Sequence, residues 1–127
     1  MHIVNIMLAK NGGGIEQAAV DYCEGLRDLG HQVTAIVYPG SWAEDQMRLR
    51  AIPTAALFNL SEYDVLAWWR LARMIKKLAP DAVIAHANRA TGISLRALKN
   101  RSTPLIGVVQ NYFTRRYNGC DAVFTTT

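Results

Sequence analysis

Short apolar stretches alternate along the chain with segments of helical periodicity. Six stretches are typical of strands: residues 2–8, 32–38, 54–60, 81–86, 104–109 and 121–127, of which 54–60 has the weakest pattern. They are apolar at consecutive positions rather than at alternate ones. This pattern predicts strands that are buried on both faces of a parallel sheet.

Four segments between these stretches predict amphipathic helices. They cover about residues 15–29, 44–50, 63–79 and 89–100, with Gly30 ending the first and Pro80 ending the third. The apolar arc of the first helix consists of Ile15, Ala18, Ala19, Tyr22, Cys23, Leu26 and Leu29. The alternation predicts a doubly wound, Rossmann-like parallel α/β sheet of about six strands in the order 3-2-1-4-5-6, with helices on both faces. We assign residues 1–127 to a single domain.

Composition and charge narrow the class of protein. The chain is 50% hydrophobic and 19% charged, which is typical of a globular domain. Cys23 and Cys120 are isolated, so we expect no metal site and no redox pair, and the sequence indicates no cofactor. No secretion signal or membrane span is recognisable, and we expect a cytoplasmic protein.

The charges are unevenly distributed. Residues 1–64 carry four basic and eight acidic side chains, whereas residues 65–127 carry ten basic and two acidic ones. This asymmetry predicts an anionic partner for one side of the fold, such as lipid headgroups or a phosphorylated ligand. Nucleic acid is disfavoured because the chain has no recognisable nucleic-acid-binding motif.

Three consecutive glycines separate the first strand from the first helix. Without Cβ atoms, Gly12, Gly13 and Gly14 would let a diphosphate approach the helix N-terminus, although a tight turn that needs positive φ is the alternative. A dinucleotide-binding fingerprint would need glycine at Gln17, and no phosphate loop of the ATPase type is present. Glu16 is interpreted either as a helix-start residue or as a polar contact to a ligand hydroxyl or to a facing domain.

Polar and cationic residues follow the fourth and fifth strands. His86 and Asn88 come at the end of the fourth strand, and Gln110 at the end of the fifth. Nearby cations are Arg89, Arg115 and Arg116. Because the carboxyl ends of parallel strands share one edge, these groups are predicted to lie beside the glycines. In the alternative interpretation, His86 bonds a backbone carbonyl, Asn88 caps a helix and the arginines are solvated.

The third helix carries a tryptophan on each face. Trp68 belongs to the apolar arc, whereas Trp69 and Leu66 lie among cations on the opposite arc. Those cations are Arg70, Arg73, Lys76 and Lys77. A tryptophan among cations suits a membrane interface, which predicts docking on the inner, anionic membrane surface. The alternative is that Trp69 packs under a loop or another domain.

Four segments together resemble one enzyme family. They are GGIE at residues 13–16, LGHQVT at 29–34, PDAVIAH at 80–86 and DAVF at 121–124. Their order and spacing resemble the N-terminal half of retaining GT-B glycosyltransferases of the group 1, or family 4, type. Many bacterial lipopolysaccharide, exopolysaccharide and mannosyl transferases belong to this family.

The resemblance implies an acceptor-side domain of an enzyme that moves a sugar from a nucleotide-sugar donor to a glycan or lipid-linked acceptor. It also implies that a C-terminal donor-binding half with a pair of glutamates follows, and that these 127 residues alone transfer no sugar. Substrate contacts are then expected at Gly13, Gly14, Glu16, His86, Asn88, Gln110, Arg115 and Arg116. Gln110 stands where the family has a histidine. No catalytic nucleophile and base pair is recognisable, so a non-catalytic binding or partner module is the alternative.

Overall fold

The computed structural model describes residues 1–109 and 120–125. These residues form six strands and four helices, which are numbered in chain order. The strands are β1 (His2–Met7), β2 (Gln32–Val37), β3 (Thr54–Ala56), β4 (Ala82–His86), β5 (Leu105–Val109) and β6 (Ala122–Thr125). The helices are α1 (Gly14–Asp28), α2 (Trp42–Leu49), α3 (Val65–Leu78) and α4 (Ala87–Ala97).

The strands form one parallel sheet in the order β3-β2-β1-β4-β5-β6. This confirms the predicted α/β class, the strand order and the strand number. β1 pairs with β2 on one side and with β4 on the other, so the direction of winding reverses between β1 and β4. In doubly wound sheets, ligands bind outside the carboxyl ends of the strands at this switch point.

Each face of the sheet is covered by two helices. On one face, α1 and α2 pack on Met7, Val33 and Ala35. On the other, α3 and α4 pack on Val4 and Ile6. Neighbouring residues of one strand therefore enter opposite cores, which explains why the strands are apolar at consecutive positions.

Helix α1 ends at a glycine, as predicted. Gly30 has φ +94°, and its N–H donates to Arg27 O at 2.9 Å while the N–H of His31 donates to Leu26 O at 3.1 Å. This is a Schellman motif. Placing Leu29 on the buried arc was wrong: it lies at the C-cap and is 77% exposed, because the helix ends before this side chain reaches the sheet.

The strand predicted at residues 54–60 is shorter than expected. β3 covers only Thr54–Ala56, and the chain then runs irregularly to Asp64, whose carboxylate accepts a hydrogen bond from Ala67 N and caps α3. Backbone hydrogen bonds, first from Leu60 and then from Ala67, lower the pKa of the Asp64 carboxyl. The Asp64 cap therefore fixes the residue at which helix α3 starts.

Candidate functional site

A cleft of about 410 Å³ opens at the switch point, beyond the carboxyl ends of β1 and β4. Its lining consists of Met7, Leu8, Ala9, Lys10, Asn11, His86, Ala87, Arg89 and Ala90. Two cations and one carboxamide contribute to its polar part. The cleft ends at Asn11, directly before the three glycines.

The two helices beside this cleft begin without a side-chain cap. The N-cap of α1 is Gly13, which has no side chain. The N-cap of α4 is His86, whose side chain accepts no hydrogen bond from the helix. In contrast, Ser41 caps α2 and Asp64 caps α3. The amide groups at the starts of α1 and α4 are thus not bonded by cap side chains, and both helix dipoles present their positive ends at the same edge of the sheet.

The three glycines have different structural environments. A methyl group at Gly12 would lie 3.0 Å from the Trp42 ring, and one at Gly13 would lie 2.8 Å from Glu16 Oε2. A methyl group at Gly14 would contact nothing within 4 Å. Left-handed φ occurs at Gly30 and Gly40 but at none of these three, and Gly13 is extended with φ 176°, so the tight-turn interpretation was wrong. Packing against the Trp42 ring explains Gly12, whereas the contact at Gly13 is with the end of the flexible Glu16 side chain and Gly14 has no steric partner in the described part of the chain.

Glu16 lies in the first turn of α1, as its helix-start interpretation predicts. Its carboxylate folds back towards Gly13. A carboxylate at this position is stabilised by the helix dipole. It also accepts hydrogen bonds only, so it suits the hydroxyl group of a ligand better than an anionic oxygen.

His86 is buried at the end of β4 and is 1% exposed. Its Nε2 lies 2.7 Å from Asn5 Oδ1, and the Tyr22 ring meets the imidazole edge to face at 5.0 Å. Nδ1 has no hydrogen-bond partner among the described residues. Burial lowers the pKa of His86 to about 4, so the ring is neutral at pH 7. The expectation that it bonds a backbone carbonyl was wrong, because its partner is a side chain.

The residue after His86 has an unusual backbone conformation. Ala87 has φ +70°, in the left-handed region, where a side chain with a Cβ atom is strained. This left-handed conformation turns the chain from β4 directly into α4. Since Ala87 also lines the cleft, the strained junction forms part of the cleft wall.

Asn88 does not cap α4, because His86 occupies the cap position and Asn88 lies inside the first turn. The capping interpretation was therefore wrong. Asn88 lines a second, smaller pocket of about 240 Å³ together with Ser61, Glu62, Tyr63 and Arg89. Arg89 lines both pockets and so joins the main cleft to the segment between β3 and α3.

The remaining predicted contacts, Gln110, Arg115 and Arg116, lie outside the described residues. Conversely, the structure places Lys10, Asn11 and Asn5 at or beneath the cleft, and the sequence analysis did not single them out. Lys10 and Asn11 follow β1 directly, and the rule used for the later strands would have found them. Within the described ranges, no group of three or more His, Cys, Asp or Glu side chains could hold a metal ion.

Helix α3 has the two faces that its sequence predicts. Ala67, Leu71 and Ile75 are buried against the sheet. On the opposite side Trp69 is 55% exposed, and the Arg73 guanidinium lies 4.9 Å from the centre of its ring. Within the described chain Trp69 is therefore not packed under a loop. Over residues 1–109 and 120–125, no helix combines the length and the apolar character needed to cross a bilayer.

Beside Trp69 runs a shallow groove of about 310 Å³. Its lining is Ala56, Leu57, Phe58, Trp69, Arg70, Arg73 and Met74. Large apolar side chains are exposed on the adjoining segment, at Leu60, Tyr63, Val65 and Leu66. We call this surface, together with Lys76 and Lys77, the α3 face. It combines exposed apolar area with four cations.

Comparison with solved structures identifies the same architecture in glycosyltransferases. MurG of Acinetobacter baumannii superposes with a TM-score of 0.79 and 19% identity, over 98% of this chain and 41% of MurG. Anabaena HepE, solved in complex with UDP and glucose, superposes with a TM-score of 0.72 and 15% identity, over 87% of this chain and 30% of HepE.

A third structure, the lipopolysaccharide outer core galactosyltransferase WaaB in its apo form, gives a TM-score of 0.70 at 14% identity and covers 97% of this chain and 38% of WaaB. The chain thus spans about two fifths or less of these structures. Their shared fold is that of the GT-B N-terminal domain. No curated protein sequence matches the chain significantly.

The family model for Glycosyltransferase Family 4 matches residues 12–126. This match covers nearly the entire chain and includes all four segments on which the sequence resemblance depends. The resemblance is therefore confirmed, and the chain belongs to Glycosyltransferase Family 4.

Proposed function

We propose that this chain is the acceptor-side domain of a glycosyltransferase that uses a nucleotide-sugar donor, and that sugar transfer takes place over the cleft between β1 and β4. The observation that carries this proposal is that two helices without side-chain caps begin around one cleft: α4 begins at its wall, and α1 begins three residues after Asn11, which lines it. Amide groups and dipoles arranged in this way favour an anionic or strongly polar ligand.

The residues at the cleft and at the start of α1 divide into two groups by their chemistry. Lys10 and Arg89 line the cleft, and Gly14 leaves open space at the start of α1. These three positions suit the diphosphate of a donor, because cations and a helix N-terminus stabilise its negative charge. Glu16 and His86 present hydrogen-bond acceptors instead and suit sugar hydroxyls. The proposed site also includes Gly13 and Asn88.

Three further contacts are proposed at positions outside the described residues. Gln110 follows β5, the strand next to β4, and its carboxamide can bond a sugar hydroxyl but takes up no proton near neutral pH. Arg115 and Arg116 would add cations for the donor phosphates.

Sugar transfer is proposed to need a further domain. HepE was solved with UDP and glucose, and this chain corresponds to only 30% of HepE. We therefore infer that the complete enzyme places a donor-binding domain opposite the cleft, and that the present 127 residues alone are inactive. The acceptor is proposed to be a glycan or a lipid-linked sugar.

Amide chemical-shift mapping of the complete enzyme with UDP-glucose tests the location of the site. The signals of Lys10, Asn11 and Arg89 should move, because the ligand contacts the cleft and its two helix starts. Lys99 and Arg101 provide the matched control, since they are also cationic but lie with Leu105, at the opposite end of the strands. Shifts centred on these two control residues would overturn the proposed site.

The α3 face is proposed to dock on an anionic membrane, which would hold a cytoplasmic enzyme at the inner membrane surface. Trp69 and Leu66 supply apolar area at the lipid boundary, and Arg70 and Arg73 begin the row of cations. Each cation near an anionic surface contributes about 1 kcal/mol. Trp69 can bury its ring while the indole N–H stays hydrated.

Replacing Trp69 with alanine should weaken co-sedimentation with phosphatidylglycerol-containing vesicles about tenfold, which corresponds to about 1.4 kcal/mol. Leu29→Ala is the matched control, because Leu29 is also apolar and exposed but lies at the end of α1. Vesicles of phosphatidylcholine alone should bind both proteins weakly. Equal binding of the wild type and Trp69→Ala to the anionic vesicles would remove the role proposed for this side chain.

A further inference from the structure

Asn5 is a fully buried carboxamide in the middle of an apolar strand. Its Nδ2 lies 3.1 Å from Ala19 O and 3.1 Å from Cys23 Sγ, both on α1. Its Oδ1 lies 2.7 Å from His86 Nε2 on β4. The side chain therefore connects the first helix to the strand that ends at the cleft.

These contacts determine which atoms carry hydrogen. The carbonyl of Ala19 can only accept a hydrogen bond, so the amide nitrogen of Asn5 must face it and Oδ1 must face His86. Oδ1 is itself an acceptor, and His86 Nε2 therefore has to be the donor. A neutral imidazole with hydrogen on Nε2 keeps a lone pair on Nδ1.

The second nitrogen of His86 is an acceptor without a donor. Nδ1 is buried and has no hydrogen-bond partner in the described part of the protein, and His86 lines the cleft. Buried acceptors are normally paired, so Nδ1 requires a donor from outside the described residues, and the cleft that His86 lines is the place where a ligand could supply it. The Tyr22 edge-to-face contact helps to hold the ring in this orientation.

We propose that Asn5 is a positioning residue that holds His86 in the Nε2–H tautomer, so that Nδ1 accepts a hydrogen bond from a hydroxyl group of the ligand in the cleft. The ligand part rests on the proposed function. A sugar hydroxyl has the hydrogen that Nδ1 needs. An ionised phosphate oxygen has no hydrogen, and its lone pairs would repel the lone pair of Nδ1. The contact at His86 is thus with the sugar rather than with the diphosphate.

The tautomer can be measured directly by ¹⁵N NMR of the imidazole nitrogens. The chain has three histidines, so a His86→Gln sample assigns the His86 signals, and His2 and His31 serve as internal references. In the wild type at neutral pH, Nε2 should be protonated and Nδ1 unprotonated. A protonated Nδ1 or a mixture of tautomers would overturn the proposal without any ligand being needed.

Two variants test whether Asn5 is the cause. Asn5→Leu removes the acceptor, and the folded variant should show a mixture of the two tautomers; an unchanged tautomer would contradict the role of Asn5. Asn5→Asp keeps an oxygen acceptor for Nε2, so it should retain the Nε2–H tautomer while raising the pKa of the imidazole. If Asn5→Leu does not fold, loss of the Nε2–H tautomer in Asn5→Asp would contradict the proposal instead.

Titration of the complete enzyme, which includes the proposed donor-binding domain, with UDP-glucose and with inorganic diphosphate tests the ligand part. UDP-glucose should move the Nδ1 signal, and diphosphate should not. If UDP-glucose moves the amide signals of Lys10 and Arg89 but leaves Nδ1 unchanged, the hydroxyl contact is wrong while the proposed function stands. If UDP-glucose moves neither the amide signals nor the Nδ1 signal, both the proposed function and the hydroxyl contact are contradicted. The tautomer of the wild type still tests the role of Asn5.

Discussion

Replacing Leu71 with alanine is expected to lower the free energy of unfolding by about 3 kcal/mol. Leu71 is 0% exposed and lies in the core between α3 and the sheet, together with Ile6 and Val83. Removing its terminal atoms would lose their burial and leave a cavity, because neighbouring side chains relax only partly. Urea unfolding monitored by circular dichroism measures the change.

Leu66→Ala on the same helix is the matched control. Leu66 is 53% exposed on the α3 face, so the same substitution should change the unfolding free energy by less than about 0.5 kcal/mol. The pair therefore tests which face of α3 lies on the sheet. Similar losses in the two variants would contradict the orientation on which the membrane proposal depends.

Acidification is expected to destabilise the protein through His86. Burial lowers the pKa of the folded imidazole to about 4, whereas in the unfolded chain it has its ordinary value of 6.5. Between these values the unfolded state binds more protons than the folded state, so stability is lost as the pH falls from about 6.5 to about 4. At about 1.4 kcal/mol per pH unit, the whole shift amounts to about 3 kcal/mol, of which about 2 kcal/mol is lost by pH 5.

The comparison of wild type with His86→Gln isolates this contribution. Glutamine does not titrate, so the variant should lose about 2 kcal/mol less than the wild type when the pH falls from about 7.5 to about 5. Urea unfolding at the two pH values gives both differences. If the two proteins show the same pH dependence, His86 is not held neutral by burial in the folded state.

Most of the fold could be predicted because its causes are local. Consecutive apolar residues in β1 and β2 reflect burial on both faces, and Gly30 ends α1 through a conformation that its own residue type favours. Because crossovers between parallel strands are right-handed, only a few arrangements of the strands in the sheet remain. The errors occurred where periodicity stops being informative, at Leu29 beyond the last turn of α1 and in the irregular chain after Ala56.

The candidate site was less predictable. The rule that ligands bind at strand ends led to His86, but the partner of this residue, Asn5, lies 81 positions earlier and only the pairing of β1 with β4 brings them together. The role of Gly12 likewise depends on Trp42, which belongs to another helix. No local pattern encodes such contacts, because they arise from packing between distant segments.

A nucleotide sugar is proposed to reach the cleft past the open start of α1, and the variant Gly14→Val of the complete enzyme tests this path. Gly14 and Gly25 both lie on α1 with open space around the missing Cβ atom, so valine fits at either position, but only Gly14 lies at the start of the helix, three residues after the cleft-lining Asn11. In a titration with UDP-glucose, Gly14→Val should bind about tenfold more weakly than Gly25→Val, equivalent to about 1.4 kcal/mol. Equal affinities of the two variants would contradict the account.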